Sequence, residues 1–177
     1  GLHGAPCAES ALNSMLALAR ALPRVVHNQA AAKWDRFPMR LLDGKTAVIL
    51  GMGVIAEALG PRLKAMNMRT IGVTATPRPV NGFDEVRTRS AMRDSVAEAD
   101  YLILLTPYTK ENHHLVDAAM LAALKPSALL INLARGGVVD EDALVAALQE
   151  KRISGAALDV FATEPLPSDH ILWRMEN

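Results

Sequence analysis

Short apolar runs alternate along the chain with segments in which apolar residues recur at helical spacing. Five runs have the length and continuity of strands that are covered on both faces, namely TAVIL (46–50), RTIGV (69–73), YLILL (101–105), ALLINL (128–133) and GAALDVF (155–161). The spacing predicts helices over 8–22, 90–99, 117–124 and 140–151, and a further helix soon after the first strand. Strands that alternate with helices build a parallel sheet with right-handed crossovers. The expected fold class is therefore α/β, a doubly wound parallel sheet with helices on both faces.

Individual residues indicate where some of these elements begin and end. Pro23 is expected to end the first helix. Asp140 is placed to cap the last helix, with two further acids in the positive first turn. Pro61 weakens the helix after the first strand, so we expect a kink or an early irregularity there. Residues 25–45 have a mixed pattern, with a turn signal at Asp43-Gly44.

A glycine turn joins the first strand to its helix. The stretch GMGVIA contains Gly51-x-Gly53-x-x-Ala56. The first glycine permits a tight turn, the second lets the backbone approach a pyrophosphate, and the third position needs a small residue for close helix packing. Free amides at the helix start, together with its dipole, then hold the phosphates. In this context the motif predicts a Rossmann-like dinucleotide site, although glycines also mark ordinary turns.

The end of the second strand bears on the choice between NAD and NADP. A carboxylate there usually accepts a hydrogen bond from the ribose 2′-hydroxyl of NAD, and this sequence has Thr74 instead. Arg78 follows between two prolines, and an arginine pairs with a phosphate through two parallel hydrogen bonds. These residues favour NADP over NAD, with a solvated Arg78 as the alternative.

The composition argues against several classes of protein. The chain has 19 basic and 19 acidic residues and no basic run, which argues against a nucleic-acid surface. The single Cys7 excludes an internal disulfide and fits a reducing, cytoplasmic location. No apolar segment reaches the roughly 18 residues of a membrane span, and no spacing of histidines indicates a metal site. The chain starts at Gly1 without a methionine, from which we expect a fragment.

Five stretches, in order, resemble the nucleotide-binding domain of the D-isomer-specific 2-hydroxyacid dehydrogenases: KWDRF, GMGVIA, LLTPYTKENHHLV, NLARGGVVDEDAL and AALDVFATEPLP. The resemblance covers essentially all 177 residues. The most specific parts of the resemblance are the Arg-Gly-Gly and Asp-Val-Phe-x-x-Glu-Pro motifs and the spacing between them. It implies an oxidoreductase that acts on a CH–OH group and moves a hydride between a nicotinamide and a D-2-hydroxy acid or 2-oxo acid.

By this resemblance, Arg135 is the anchor for the substrate carboxylate and carbonyl. Arg135 stands directly behind an apolar run, where a charge is costly unless something pairs with it. A 2-oxo acid presents a planar carboxylate beside a ketone, which suits a guanidinium fork better than a lysine. A bound anion would supply the missing partner, and Gly136 and Gly137 would keep backbone bulk away. The alternative is a surface arginine at a strand end.

Glu164 matches the family's catalytic glutamate, which hydrogen-bonds a histidine, favours the imidazolium and orients the ring. That histidine exchanges a proton with the substrate oxygen while the nicotinamide exchanges a hydride. None of the five histidines of this chain matches it: His3, His27, His113, His114 and His170. We therefore expect the chain to bind cofactor but not to oxidise NAD(P)H with glyoxylate, pyruvate or hydroxypyruvate.

Further positions match the family's cofactor site. Those at the pyrophosphate are Gly51, Gly53, Val54 and Ile55, and those beside the adenosine half are Thr106 and Pro107. Those around the nicotinamide are Leu133, Ala134 and Asp159, of which Asp159 would engage the carboxamide side. Without such a partner, a carboxylate at the end of an apolar strand would cost free energy. Two departures stand out. Thr74 replaces a common acid and leaves NAD or NADP open, and Asn112 replaces a common threonine, which we expect to be tolerated.

The N-terminal part resembles the helix and arm through which family members pair. We expect residues 1–177 to be the dinucleotide-binding domain of a two-domain dehydrogenase, with a linker helix and dimerisation arm at about 1–40 and the flanking substrate domain absent. Trp34 and Phe37 are the expected anchors of a homodimer, being large apolar groups in a polar stretch. The alternative is that both rings pack on their own domain.

Two other functions remain open at the level of sequence. The C-terminal-binding-protein corepressors share these motifs, which would make the chain a cofactor-sensing binding module. A generic Rossmann protein is the weakest reading, because Arg135, Asp159 and Glu164 occur together. The expected small-molecule partner is a 2-oxo or 2-hydroxy acid, with no nucleic-acid or membrane partner, and the sequence does not identify which acid.

Overall fold

A computed structural model describes residues 3–177, so the first two residues of the expected arm lie outside the described part. Six parallel strands form one sheet in the order β3-β2-β1-β4-β5-β6. The strands are β1 Thr46–Leu50, β2 Arg69–Thr74, β3 Glu85–Thr88, β4 Tyr101–Leu104, β5 Leu129–Asn132 and β6 Gly155–Leu158. The α-helices are α1 Gly4–Ala19, α2 Leu22–Ala30, α3 Val54–Ala65, α4 Met92–Glu98, α5 Ala118–Ala123 and α6 Glu141–Gln149. The expected α/β fold class is confirmed.

Both faces of the sheet are covered, which explains the continuous apolar runs. Adjacent strand residues point to opposite faces. In β1, Ile49 packs in a cluster with α1 and α3, while Val48 packs in a second cluster with α4, α5 and α6. The parallel register pairs Val48 with Leu102 and Ile49 with Ile103, so the two central strands contribute to both clusters. Each face therefore has its own hydrophobic core.

Two helix starts carry a carboxylate cap. The Asp140 side chain accepts a hydrogen bond from the backbone N of Ala143 at 3.1 Å, as the sequence predicted. Asp117 caps α5 in the same way, from the backbone N of Met120 at 2.8 Å. These caps fix the chain direction after the loops that carry the candidate site.

The edge strand β3 was not predicted from the sequence, because EVRT has no apolar run. It pairs with β2 in parallel register and is held by charges. The Arg69 guanidinium lies 2.7 Å from both Glu85 and Glu98, and Arg87 bonds the same two acids. These hydrogen bonds, from Arg69 first at Glu85 and from Arg87 first at Glu98, hold the pKa of each carboxyl below its usual range.

Helix α2 corrects two sequence predictions. The first helix ends at Ala19, and Pro23 lies in the first turn of α2, where a missing N–H removes no helical hydrogen bond. The mixed pattern over 25–45 therefore concealed a helix. Farther along, α3 continues as one helix through Pro61 to Ala65, in the region where a kink or an early irregularity is expected from the sequence. A Cβ on Gly82 would lie 2.3 Å from the Pro61 nitrogen, so this part of α3 packs directly against a loop.

Candidate functional site

The carboxyl ends of the six strands lie along one edge of the sheet, because all the strands are parallel. The connection after β1 leads to β2 on one side, and the chain later returns to β4 on the other. Ligands of open α/β sheets bind in the crevice at such a reversal of strand order. The glycine turn after β1 and the loop after β4 flank this crevice.

The backbone geometry at position 51 requires a glycine. Its φ is +100°, and a Cβ there would lie 2.6 Å from the backbone N of Thr106. Its own N–H donates to the Val73 carbonyl at 3.0 Å. The turn thus contacts β2 and the loop after β4, and only glycine fits without displacing that loop.

The start of α3 is open. Gly53 is the N-cap residue and makes no side-chain cap, and a Cβ added to it would meet nothing within 4 Å. Val54 is exposed and Ile55 half-buried. Uncapped amides, the positive end of the helix and free space above the backbone are what a pyrophosphate requires. The residues present fit a dinucleotide.

A cleft of about 720 Å³ begins at Ile55 in the first turn of α3. It brings together seven of the predicted site residues: Ile55, Thr106, Pro107, Leu133, Ala134, Arg135 and Glu164. Asn112 supports the wall of the cleft, because its buried Nδ2 donates to the Pro107 carbonyl at 2.8 Å and to Thr106 Oγ1 at 3.3 Å.

Arg135 is exposed, and its charge has no carboxylate within 4.0 Å among residues 3–177. Its Nη1 donates to the Ala134 carbonyl at 2.6 Å. The expectation of a costly charge at the strand mouth was wrong, because water hydrates the guanidinium. The group is nevertheless free to bind an anion in the cleft.

The buried Asn132 holds the turn that carries Arg135. Its Oδ1 accepts from the Ala134 N–H at 3.0 Å, and its Nδ2 donates to the Arg135 carbonyl at 3.2 Å. With 1% of its surface exposed, Asn132 is a buried polar group whose hydrogen bonds go to this turn. Sequence reasoning missed it, although an amide at the end of an apolar run is a detectable signal.

Glu164 enters the cleft on a turn that packs against Gly136. A Cβ on Gly136 would lie 1.9 Å from the Phe161 carbonyl oxygen. The Glu164 carboxylate accepts from the Phe161 N–H at 2.9 Å, and the Ala162 N–H donates to Glu141 at 3.0 Å. The close approach at Gly136 places the Arg135 and Glu164 turns side by side.

Among residues 3–177, no histidine hydrogen-bonds the Glu164 carboxylate. His170 Nδ1 accepts from the Leu172 N–H at 3.2 Å, and its Nε2 lies 3.5 Å from Glu141. His113 stacks on His114 with ring centroids 3.8 Å apart. In the same described part of the chain, no three His, Cys, Asp or Glu side chains converge as a metal site.

Six predicted residues do not line the cleft. Gly51, Gly53 and Val54 form the glycine turn and the start of α3 described above, and the other three are Thr74, Arg78 and Asp159. Thr74 ends β2 and is half-buried, and Arg78 in the following loop forms an ion pair with Glu57 of α3. Asp159 is exposed, and its backbone N–H donates to the Asn132 carbonyl at 3.1 Å. Asp159 is therefore not the costly buried charge that its place after an apolar strand predicted.

Tyr108 lines the cleft and was also missed. A Cβ on Gly137 would lie 2.6 Å from its Cε2 atom, and its hydroxyl lies 3.1 Å from His113 Nδ1. The ring is half exposed. An aromatic residue in a polar loop after a strand offered a weak signal, because only the fold brings Tyr108 beside Gly137.

Fold and site together define a Rossmann-like dinucleotide-binding domain. Residues 12–177 match the family model described as the D-isomer specific 2-hydroxyacid dehydrogenase, NAD binding domain. The chain belongs to this family of NAD(P)-dependent oxidoreductases.

Relatives of two activities resemble the chain. It is 39% identical over 177 residues to the glyoxylate/hydroxypyruvate reductase B of Pectobacterium carotovorum, covering 96% of this chain and 55% of that protein. The phosphoglycerate dehydrogenase structure from Lactobacillus plantarum has a TM-score of 0.93 at 35% identity, covering 99% of this chain and 57% of that one. A Xanthobacter autotrophicus Py2 family member, solved with NADPH and MES, has a TM-score of 0.88 at 34% identity, covering 96% and 54%. The chain thus spans between 54% and 57% of the length of these relatives.

No helix within residues 3–177 is both long enough and apolar enough to cross a membrane.

Proposed function

We propose that this chain is the cofactor-binding part of an NAD(P)-dependent oxidoreductase that interconverts a small D-2-hydroxy acid and the corresponding 2-oxo acid. The observation that carries the proposal is the exposed Arg135 guanidinium, which has no carboxylate partner among residues 3–177 and lies in one cleft with Glu164 and with Ile55 at the start of α3. An unpaired guanidinium in an open cleft supports an enzyme over a cofactor-sensing binding module. The cytoplasmic location expected from the single cysteine is part of this proposal.

The cofactor lies, in this proposal, along the carboxyl edge of the sheet. The residues that hold the pyrophosphate are Gly51, Gly53, Val54 and Ile55. The adenosine half lies beside Thr106 and Pro107, with Thr74 and Arg78 at the ribose, and the nicotinamide is bordered by Leu133, Ala134 and Asp159. The nicotinamide, when bound, supplies or accepts the hydride.

Arg135 binds the substrate carboxylate and orients the adjacent carbonyl. A guanidinium fork on a turn held by the buried Asn132 is preorganised for this planar group. Glu164 orients a histidine and stabilises the protonated form of that histidine. Among residues 3–177, no histidine hydrogen-bonds Glu164. The chain by itself therefore binds dinucleotide without turning over substrate.

Either NAD or NADP is accepted, with NADP favoured. Thr74 carries no charge that would repel a 2′-phosphate, and Arg78 lies in the loop that follows β2. The similar Xanthobacter protein was solved with NADPH, which supports placing NADP before NAD for this related chain.

The direct test is a titration of the chain with NADH and with NADPH, followed by the nicotinamide fluorescence. We expect saturable binding of both, with the lower dissociation constant for NADPH. Glyoxylate or hydroxypyruvate added to the complex should leave the absorbance of the reduced nicotinamide unchanged. Absence of binding, from a chain shown to be folded by circular dichroism, would contradict the proposal. Rapid oxidation of the reduced nicotinamide would contradict the expectation that the chain by itself does not turn over substrate.

We also propose that α2 and the segment after it pair with a second copy of this chain. Trp34 is 88% exposed, and Leu22 and Val26 on α2 are also exposed. Arg24 binds Asp35 at 2.6 Å and covers the Phe37 ring at 4.0 Å from its centroid. Phe37 thus packs partly on its own chain, whereas the exposed Trp34 is the natural anchor of an interface.

Trp34→Ser is expected to weaken self-association by about tenfold or more, because a central tryptophan dominates the energy of an interface. Sedimentation velocity over a concentration series measures the effect. Trp173→Ser is the matched control for the loss of an exposed tryptophan, since Trp173 is 63% exposed and lies in the last 3₁₀ turn rather than on α2 or the segment after it. A wild-type chain that stays monomeric at high concentration would contradict the dimer.

A further inference from the structure

The ion pair between Arg78 and Glu57 joins the loop after β2 to the first turn of α3. Glu57 is the fourth residue of α3, and Arg78 lies between Pro77 and Pro79. Arg78 Nη2 hydrogen-bonds Glu57 Oε1. The only arginine of this loop is therefore neutralised by a carboxylate that stands beside the open glycine turn.

The pair is exposed to solvent and can be broken. The Arg78 side chain is 57% exposed and that of Glu57 is 43% exposed. Exposed ion pairs contribute little to stability, because both charges are well hydrated when apart. A dianionic phosphate binds a guanidinium more strongly than a single carboxylate can, so an incoming 2′-phosphate can compete for Arg78.

Glu57 opposes such a competitor in two ways. It holds Arg78 before the cofactor arrives, and its negative charge stays near the guanidinium afterwards, because α3 is a fixed helix. Like charges close to one shared cation repel each other. A 2′-hydroxyl carries no charge and is not affected by this repulsion.

We infer that Glu57 is a specificity-determining residue that lowers the preference of this chain for a 2′-phosphorylated dinucleotide. Thr74 leaves the end of β2 without a carboxylate, and the chain supplies one from α3 instead. The inference rests on the proposed dinucleotide binding at the glycine turn. It adds Glu57 to Thr74 and Arg78 as a residue that sets the discrimination between the two cofactors.

The test compares dissociation constants for NADPH and NADH in the wild type and in Glu57→Gln, by nicotinamide fluorescence. The substitution keeps the size of the side chain and removes its charge. We expect NADPH to bind about fivefold more tightly and NADH to change by less than about twofold. In an Arg78→Gln background the same substitution should improve NADPH binding less, because Arg78 is no longer there to be released.

Glu150→Gln is the matched control. Glu150 also forms an exposed pair with an arginine, Arg152 at 2.9 Å, but it lies after α6 and before β6, at the opposite edge of the sheet. It should leave the ratio of the two dissociation constants unchanged. If Glu57→Gln also leaves that ratio unchanged while both cofactors bind, the inference is wrong and the proposed function stands. If the folded wild type binds neither cofactor, both are wrong.

Discussion

Gly53→Ala is expected to weaken NADH binding by about tenfold or more, equivalent to about 1.4 kcal/mol, without lowering the stability of the free chain. In the free chain the added Cβ meets no atom within 4 Å, so the substitution strains nothing. The methyl group instead occupies the space above the start of α3 into which a pyrophosphate must come. Fluorescence titration measures the affinity, and thermal unfolding measures the stability.

Gly51→Ala provides the comparison two residues earlier. The added Cβ would lie 2.6 Å from the Thr106 backbone, and φ is +100°. This variant should therefore lose stability as well as binding, by about 2 kcal/mol or more. Comparing the two variants separates the effect of the turn's shape on stability from the effect of its contact with phosphate on NADH binding. An unchanged NADH affinity in Gly53→Ala would show that the phosphates do not lie on this turn.

Gly136→Ala is expected to lower the free energy of unfolding by about 3 kcal/mol, because its Cβ would overlap backbone rather than a movable side chain. The nearest atoms are the Phe161 carbonyl oxygen at 1.9 Å, the Phe161 carbonyl carbon at 2.0 Å and the Ala162 nitrogen at 2.4 Å. Thermal unfolding should shift downward by about 10 °C for a domain of this size. Relief of the overlap requires the turn that carries Glu164 to move.

Gly137→Ala is the neighbouring control. Its Cβ would meet the ring edge of Tyr108 at 2.6 Å, and this half-exposed ring can rotate away. The loss of stability should stay below about 1 kcal/mol. Equal stability of the wild type and Gly136→Ala would contradict the close packing of the Arg135 and Glu164 turns.

The central strands could be predicted from the sequence because their burial on both faces leaves a continuous apolar run. The prediction was correct for β1, β4 and β5, whose residues are almost all buried. The edge strand β3 could not be found in this way, because Arg69, Arg87 and two glutamates stabilise it instead of apolar packing. Helix α2 was missed for a related reason, since most of its surface faces solvent.

The candidate site likewise has a part that could be predicted from the sequence and a part that could not. The glycine turn was predicted because its chemistry is local: a strand, a turn and a helix start are consecutive in the chain. The Arg135 and Glu164 positions came from resemblance to a family, and the structure adds that they line one cleft. The supporting residues Asn132 and Tyr108 were not found, because their roles depend on groups that the fold brings near.

The sequence by itself determined the layered α/β architecture, the glycine turn and the cap at Asp140, since each follows from periodicity or from neighbours within a few residues. The tertiary structure alone decided the exposure of Arg135 and Asp159, the pairing of Arg78 with Glu57 and the contact of Gly136 with Phe161. These features join segments between 21 and 25 positions apart, or depend on how much water reaches a strand end. Burial and long-range approach are properties of the packed chain, and no local pattern of residues encodes them.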